Sequence, residues 1–275
     1  MLGHTLVMKF GGHLLLLRPN FLKLADIVLA RAGVYRYVVV VVSAMGNTTD
    51  QLLALAKEVH PEPPRREQDM LISVGERVSI ALLAMALAAK GKEAISFTGS
   101  QSGIITTSEH ADARIVEIRP QRILKELAQG KIVIVAGFQG MSKEGEITTL
   151  GRGGSDTTAV ALGVALRAEK VEFYKDIPGV FSEDPKKSAS FLFPKLTYEE
   201  ALHITMQGAK VLHHRCVSLA LKNKLPLHIL PFEAFDTAGG TLIGELPRSI
   251  GPLDSLLFEG DTINGCKKFT GSDGL

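Results

Sequence analysis

The run Tyr-Val-Val-Val-Val-Val over Tyr37–Val42 has no polar position on either face. A strand with one solvated face alternates apolar and polar residues, so a strand apolar throughout is buried on both faces, as in the middle of a parallel sheet. Parallel neighbours need crossover connections, usually helices, and the sequence offers them in alternation. Strands are expected over 5–10, 93–97, 131–136, 171–174 and 226–230, and helices over 20–32, 48–58, 68–89, 120–129, 155–168, 197–205 and 208–223. Residues 140–149 read as a hairpin turning at Lys143-Glu144-Gly145, 98–109 as a hydroxyl-rich loop and 176–190 as a loop with two prolines. The expected fold is α/β: an open, mostly parallel sheet with helices on both faces, a three-layer αβα sandwich with ligands beyond the carboxyl ends of its strands. Residues 1–245 fit such a domain, and 246–275 lack any period and read as a poorly ordered tail.

Composition narrows the function classes. At 45% hydrophobic and 22% charged, the chain has the balance of a water-soluble globular protein. A formal charge of +2, spread without clusters, argues against a nucleic-acid surface. No apolar run reaches spanning length and no basic-then-apolar leader opens the chain, so neither a membrane nor secretion is expected. Cys216 and Cys266 make no disulfide framework and fit a reducing cytoplasm; Cys216 reads as a small buried residue.

The chemistry concentrates in Thr148-Thr149-Leu150-Gly151-Arg152-Gly153-Gly154-Ser155-Asp156, which feeds into an apolar helix. Its glycines allow close backbone approach, and Arg152 offers a planar fork to a carboxylate or phosphate. Ser155 and Asp156 stand where free helix N–H groups would face an anion. Lys9-Phe10-Gly11-Gly12, at the end of the first strand, reads either as a phosphate-facing turn with a point charge or as a tight turn beside a surface lysine. Neither a P-loop nor a Gly-x-Gly-x-x-Gly dinucleotide turn is present. His213-His214 make a weak metal candidate, because adjacent helical residues point in different directions and no further Cys/His cluster lies near.

Five segments occur in a recognisable order: Lys9-Phe10-Gly11-Gly12, Val42-Ser43-Ala44-Met45-Gly46-Asn47-Thr48-Thr49-Asp50, Val74-Gly75-Glu76-Arg77-Val78-Ser79, Gly151-Arg152-Gly153-Gly154-Ser155-Asp156 and Gly208-Ala209-Lys210-Val211-Leu212-His213. Together they resemble the catalytic domain of aspartate kinases, within the amino-acid kinase family, from about Thr5 to Gly244. The resemblance implies the amino-acid kinase fold and ATP-dependent phosphorylation of the β-carboxylate of L-aspartate, the first step towards lysine, threonine and methionine. It implies a cytoplasmic enzyme whose partners are L-aspartate and ATP, with Mg²⁺ held mainly by the nucleotide and no metal ligands of its own. A homodimer through the kinase domain is compatible with it.

Residue by residue, the resemblance assigns the amino acid to Thr49, Glu76, Arg152 and Ser155. It assigns the nucleotide to Lys9, Gly11, Gly12, Ser43, Lys175, Asp176, Phe181, Lys186, Lys210 and Val211. Lys9, Lys210 and Asp156 are its catalytic candidates, with Asp156 orienting Lys9 or a metal-bound water. Charges agree with this division, since Arg152 suits a substrate carboxylate and Glu76 an α-ammonium. Val74, Val78, Ile80 and Ala81 surround Glu76 with apolar neighbours, where a carboxylate without a partner is costly.

The sequence also departs from the family pattern. His13-Leu14 replace the usual Thr-Ser, Lys175 replaces Thr, Phe181 replaces Tyr, Lys186 replaces Arg and His214 replaces Pro. Residues 246–275 are too few for the regulatory ACT domains most aspartate kinases carry, so feedback through such domains is not expected. Two alternatives stay open: an ATP-binding subunit weakened in transfer by the His13-Leu14 change, and a kinase for another small amino acid.

Overall fold

The structure is a computed structural model, and it describes residues 4–16, 18–182, 190–207, 211–235 and 239–245. The valine strand lies inside the sheet. Strand β2 (Tyr37–Val42) has β1 (Thr5–Phe10) on one side and β6 (Ile132–Ala136) on the other, both parallel to it, and Val38 through Val42 are buried. Beyond β6 lies β3 (Ala94–Phe97), and beyond β1 lies β9 (Lys170–Lys175) followed by β11 (Leu227–Pro231), all parallel. Two short strands, β12 (Thr241–Ile243) and β10 (Lys195–Leu196), complete the order β10-β12-β11-β9-β1-β2-β6-β3, with β11–β12 antiparallel. The chain leaves β1 for β2 on one side and later sets β9 on the other. Strand order thus reverses at β1, where open α/β sheets gather ligands.

Pleating divides the core. Leu6, Met8, Phe10, Val38, Val40 and Val42 face α1 (Arg18–Ala32) and α4 (Val74–Ala89), meeting Leu24, Val28, Leu83 and Leu87 in one buried cluster. Each such side chain contributes about 1.5–3 kcal/mol when fully buried. The opposite face, with Val7 and Lys9, meets α6 (Gly154–Leu166), which packs in turn on α8 (His214–Asn223). Helix α6 is buried around nearly its whole circumference, which is why its sequence shows almost no polar stripe. The three-layer αβα sandwich and the mostly parallel sheet expected from the sequence are therefore present.

Some local expectations change. The single helix expected over 68–89 is two helices, α3 (Arg65–Ile72) and α4, meeting at Ser73. The Ser73 carbonyl is taken by the side chain of Gln139 (Nε2 to O, 2.8 Å) and the Ser73 hydroxyl bonds Met70 O at 3.0 Å, so the junction is fixed by partners outside the helix ladder. Residues 65–89 have membrane-span length and a mean hydropathy of 1.8, but α4 packs on α1 and the sheet as a core helix. The loop expected over 98–109 contains β4 (Ile104–Thr106), which joins β5 (Ile115–Ile118), β7 (Gln139–Ser142) and β8 (Ile147–Thr149) in a second sheet of order β5-β4-β7-β8. The predicted hairpin is β7–β8. Of the helix expected over 208–223, residues 208–210 lie outside the described residues and α8 begins at His214, where His213 is extended and caps it, its Nδ1 accepting from Arg215 N–H. Residues 246–275, Cys266, Lys186 and Lys210 lie outside the described residues.

Candidate functional site

A cleft of about 660 Å³ opens beyond the carboxyl ends of β1, β2 and β6. Its floor comes from β1 and β9. Lys9 pairs with Phe173 in register, so Lys9 and Lys175 project from the same face of the sheet, towards the first turn of α6. There Lys9 Nζ lies 2.5 Å from Asp156 Oδ1 and Lys175 Nζ 3.5 Å from Asp156 Oδ2. Burial pushes the Asp156 carboxyl up, but the ammonium groups of Lys175 and Lys9 outweigh it and hold it below the usual carboxylate range. Burial draws Lys9 below the ordinary lysine value, with Asp156 opposing. Two cations and one anion leave the floor with a net positive charge.

The turns after β1 and β2 interlock over this floor. A Cβ on Gly12 would fall 2.4 Å from Ala44 O, and Gly46 N–H donates to Gly12 O at 2.9 Å. Glycine is required at 12 by that approach, and the interlock brings Gly12, Ser43 and Thr49 onto one wall. His13 lines the same wall, exposed, in the short 3₁₀ turn Gly12–Leu15.

Glu76 comes from the first turn of α4 and is 2% exposed. Its Oε1 accepts Ala44 N–H at 3.1 Å, while among the described residues Oε2 has no hydrogen-bond partner. Burial pushes its carboxyl up to about 7, against the pull of backbone N–H groups such as Ala44 and of the neighbouring Gln139 amide. An unpartnered buried carboxylate oxygen at a cleft wall suits a cationic ligand group.

The glycine-rich turn also lines the cleft. Gly153, with φ 72°, precedes α6, and a Cβ there would meet His213 Cβ at 2.3 Å, so both conformation and space demand glycine. Ser155 and Asp156 follow in the first helical turn, whose N–H groups have no partners within the helix. Arg152 is exposed in the cleft wall. Of the residues predicted for the amino acid, Thr49, Glu76, Arg152 and Ser155 thus all line one cleft.

The residues predicted for the nucleotide divide. Lys9, Gly12 and Ser43 line the cleft, and Lys175 reaches its floor through Asp156. Gly11 precedes Gly12 at the strand end, 3.9 Å from Lys9 Nζ when given a Cβ. Asp176 follows β9, and Phe181 bridges Leu192 beyond it. Val211 borders a small apolar pocket with Val180, Ala201, Ile204 and Ile243, apart from the cleft lining.

Two residues that sequence reasoning missed stand just behind the lining. Asp69, fully buried on α3, accepts from Thr149 Oγ1 (2.5 Å), Thr149 N–H (3.1 Å) and Ala111 N–H (3.1 Å), and lies 2.8 Å from His110 Nδ1. Arg215, on α8, donates to Leu150 O at 2.8 Å, Asp112 Oδ1 at 3.0 Å and Ala113 O at 3.2 Å. A lone carboxylate before Met70-Leu71-Ile72 was a usable signal for Asp69; Arg215 gave none.

Among the described residues, no group of three His, Cys, Asp or Glu side chains converges as a metal site. His213 and His214 do approach, with ring centroids 4.3 Å apart, because His213 precedes the helix. Helical direction, expected to separate the two rings, therefore does not. Cys216 is fully buried, as expected.

Residues 4–231 match the sequence profile of the amino acid kinase family. The chain is 50% identical over 242 residues to an aspartokinase of Bacillus sp. (strain MGA3), covering 87% of this chain and 58% of that protein. It is similar in structure to aspartate kinase from Synechocystis, with TM-score 0.78 and 41% identity over 90% of this chain and 41% of that one. It is also similar to E. coli aspartokinase III in complex with aspartate and ADP, with TM-score 0.80 and 26% identity over 89% of this chain and 65% of that one. The chain spans about three fifths of the length of the curated relatives it matches.

Proposed function

The chain belongs to the amino acid kinase family, and from that premise we propose that it transfers the γ-phosphoryl group of ATP to the β-carboxylate of L-aspartate, giving 4-phospho-L-aspartate and ADP. One observation carries the choice of acceptor. The cleft is lined by both an exposed guanidinium, Arg152, and a buried carboxylate, Glu76, whose Oε2 is unpartnered among the described residues. That pair matches a small molecule bearing both a carboxylate and an ammonium group. The relatives named aspartokinase support the same reading.

The reaction needs no general base. A β-carboxylate, which ordinarily titrates at about 3.9, is already ionised at neutral pH. Its oxygen attacks the γ-phosphorus, the bond from that phosphorus to the β,γ-bridging oxygen breaks, and ADP leaves with the bonding electrons. The remaining problem is to hold two anions together and spread charge in the transition state, which is positioning plus electrostatics. Lys9 and Lys175 supply positive charge at the floor, and Asp156 keeps Lys9 aimed. Ser155 and Asp156, in the first turn of α6, line the same cleft, where helix N–H groups without helical partners suit an anion. Arg152, Ser155, Thr49 and Glu76 hold the acceptor. We assign Lys210, Lys186, Asp176, Phe181 and Val211 to the nucleotide on resemblance alone.

Mg²⁺ fits as a companion of the nucleotide. Asp156, the acidic group on the cleft floor, is already engaged by two lysines and offers no ready cage. The ion would shield phosphate charge, and Asp156 is the residue that would hold one of its waters. We place the activity in the cytoplasm, where both substrates are available.

The test is ADP release with ATP and a panel of L-aspartate, L-glutamate, N-acetylglutamate, carbamate and uridylate, with hydroxylamine trapping of the acyl phosphate. Aspartate alone should give trapped product. Tight ATP binding without aspartate-dependent ADP release would instead identify a binding subunit.

A further inference from the structure

We infer that Asp69 and Arg215, neither of which lines the cleft, are the positioning residues that aim Arg152 at the acceptor. The inference rests on the proposed aspartate reading only for the acceptor's name. The two side chains grip the same pair of backbone segments, 110–113 and 149–150, in complementary ways. Asp69 collects N–H groups from both, at Ala111 and Thr149, together with the Thr149 hydroxyl. Arg215 collects carbonyls from both, at Ala113 and Leu150, together with the Asp112 carboxylate. Ala113 N–H also donates to Thr149 O at 2.9 Å, so the segments are joined directly as well.

The backbone under this grip is unusual. Ala111 has φ 72° and Gly151 has φ 70°, both left-handed. A non-glycine residue there is strained and persists where its surroundings over-determine it; Asp69 supplies that determination through the Ala111 N–H. The two left-handed residues meet, since a Cβ on Gly151 would sit 3.1 Å from Ala111 O and 3.0 Å from Asp112 Oδ1. Arg152 is the next residue. Its backbone is therefore fixed on the amino side by a unit closed from α3 and from α8, and on the carboxyl side by the start of α6. The phosphate-facing floor of Lys9, Asp156 and Lys175 hangs from β1, β9 and α6 and shares none of these bonds. Loosening the grip should reach the acceptor and leave the nucleotide alone.

Asp69→Asn is the sharp variant. An amide can still accept from the Thr149 hydroxyl, but its NH₂ would confront two backbone N–H donors. For Arg215, Lys keeps the charge and loses the fork, whereas Ala loses both. Steady-state kinetics on the chain, with aspartate affinity read in parallel by calorimetry, should show KM and Kd for aspartate raised at least tenfold in folded Asp69→Asn. KM for ATP should stay within twofold. Arg215→Lys should fall between wild type and Arg215→Ala. The Asp69→Asn/Arg215→Ala double variant should lose less than the product of the single losses, as two grips on one segment would. Aspartate KM and Kd within twofold of wild type in folded variants, or KM for aspartate and ATP rising by the same factor, overturns the inference. If Asp69→Asn does not fold, the Arg215 pair decides by the same criteria. A wild type that turns over a different acid of the panel defeats the aspartate reading alone, and the same split is then read on that acid.

Discussion

Gly75 and Ala44 are in mutual contact across two elements: a Cβ on Gly75 would fall 2.7 Å from Ala44 Cβ. The contact seats the first turn of α4 against the turn after β2, and that seating lets Glu76 accept the Ala44 N–H. Gly75→Ala should therefore destabilise the protein by about 1–3 kcal/mol through overpacking and raise KM for aspartate, as urea unfolding and kinetics would measure. Adding Ala44→Gly removes the opposing methyl and should recover most of both. A double variant as impaired as the single one would show that the contact does not govern the site.

Glu76 should give the acceptor half of the reaction its pH dependence. With the free-enzyme carboxyl at about 7, lowering the pH below that value neutralises the group proposed to hold the substrate ammonium. The pH profile of kcat/KM for aspartate should fall about tenfold per unit on the acid side, with KM for ATP unchanged. Glu76→Gln should flatten that limb and lower kcat/KM for aspartate roughly 10- to 100-fold, the worth of a hydrogen bond to a charged group. An acid limb unchanged in the variant would assign the titration elsewhere.

The same group makes an opposite-looking prediction for stability without ligand. Its folded value, about 7, lies above the ordinary glutamate value of 4.5. The stabilisation it contributes is then complete below the unfolded value and is lost as pH rises through the folded one. From pH 4.5 to above 7, wild type should lose roughly 3 kcal/mol relative to Glu76→Gln, at 1.36 kcal/mol per unit. Denaturant titrations of both proteins across that window measure the difference; parallel curves would mean the carboxyl is not raised.

Lys9 and Asp156 form a buried pair, and such pairs are asymmetric in energy. Lys9→Ala should abolish turnover, by at least about 10³-fold for a lost preorganised charge, and cost about 3 kcal/mol by leaving Asp156 with only Lys175. Lys9→Met/Asp156→Leu should restore stability without activity. Turnover that survived in Lys9→Ala would remove the cationic floor from the mechanism.

The sheet and the outline of the candidate cleft were legible because their signals are local. The six apolar positions of β2 announced a central strand, and the Gly-Arg-Gly-Gly-Ser-Asp turn announced the start of a helix; both lie where expected. What escaped depends on distant partners. Nothing around Ser73 marks a helix break until Gln139, 66 residues away, takes its carbonyl. Strands β4 and β5 have three and four residues, and their pairing with each other and with β7 defines them, not their own pattern. The grip of Asp69 on Thr149 spans 80 residues, and that of Arg215 on Asp112 spans 103, separations that no periodicity reports. The need for glycine at 12 was equally hidden, since it comes from the close approach of the Ala44 carbonyl, 32 residues on.

The reversal of strand order at β1 separates two kinds of heritable change. Under the proposed function, substitutions around Thr49 and Glu76 bear on what is phosphorylated, and substitutions at the end of β9, around Lys175, bear on what donates. Since β1 is the seam between these territories, a lineage could exchange one acid for another while its nucleotide half stood still, and a protein engineer could follow the same line of partition.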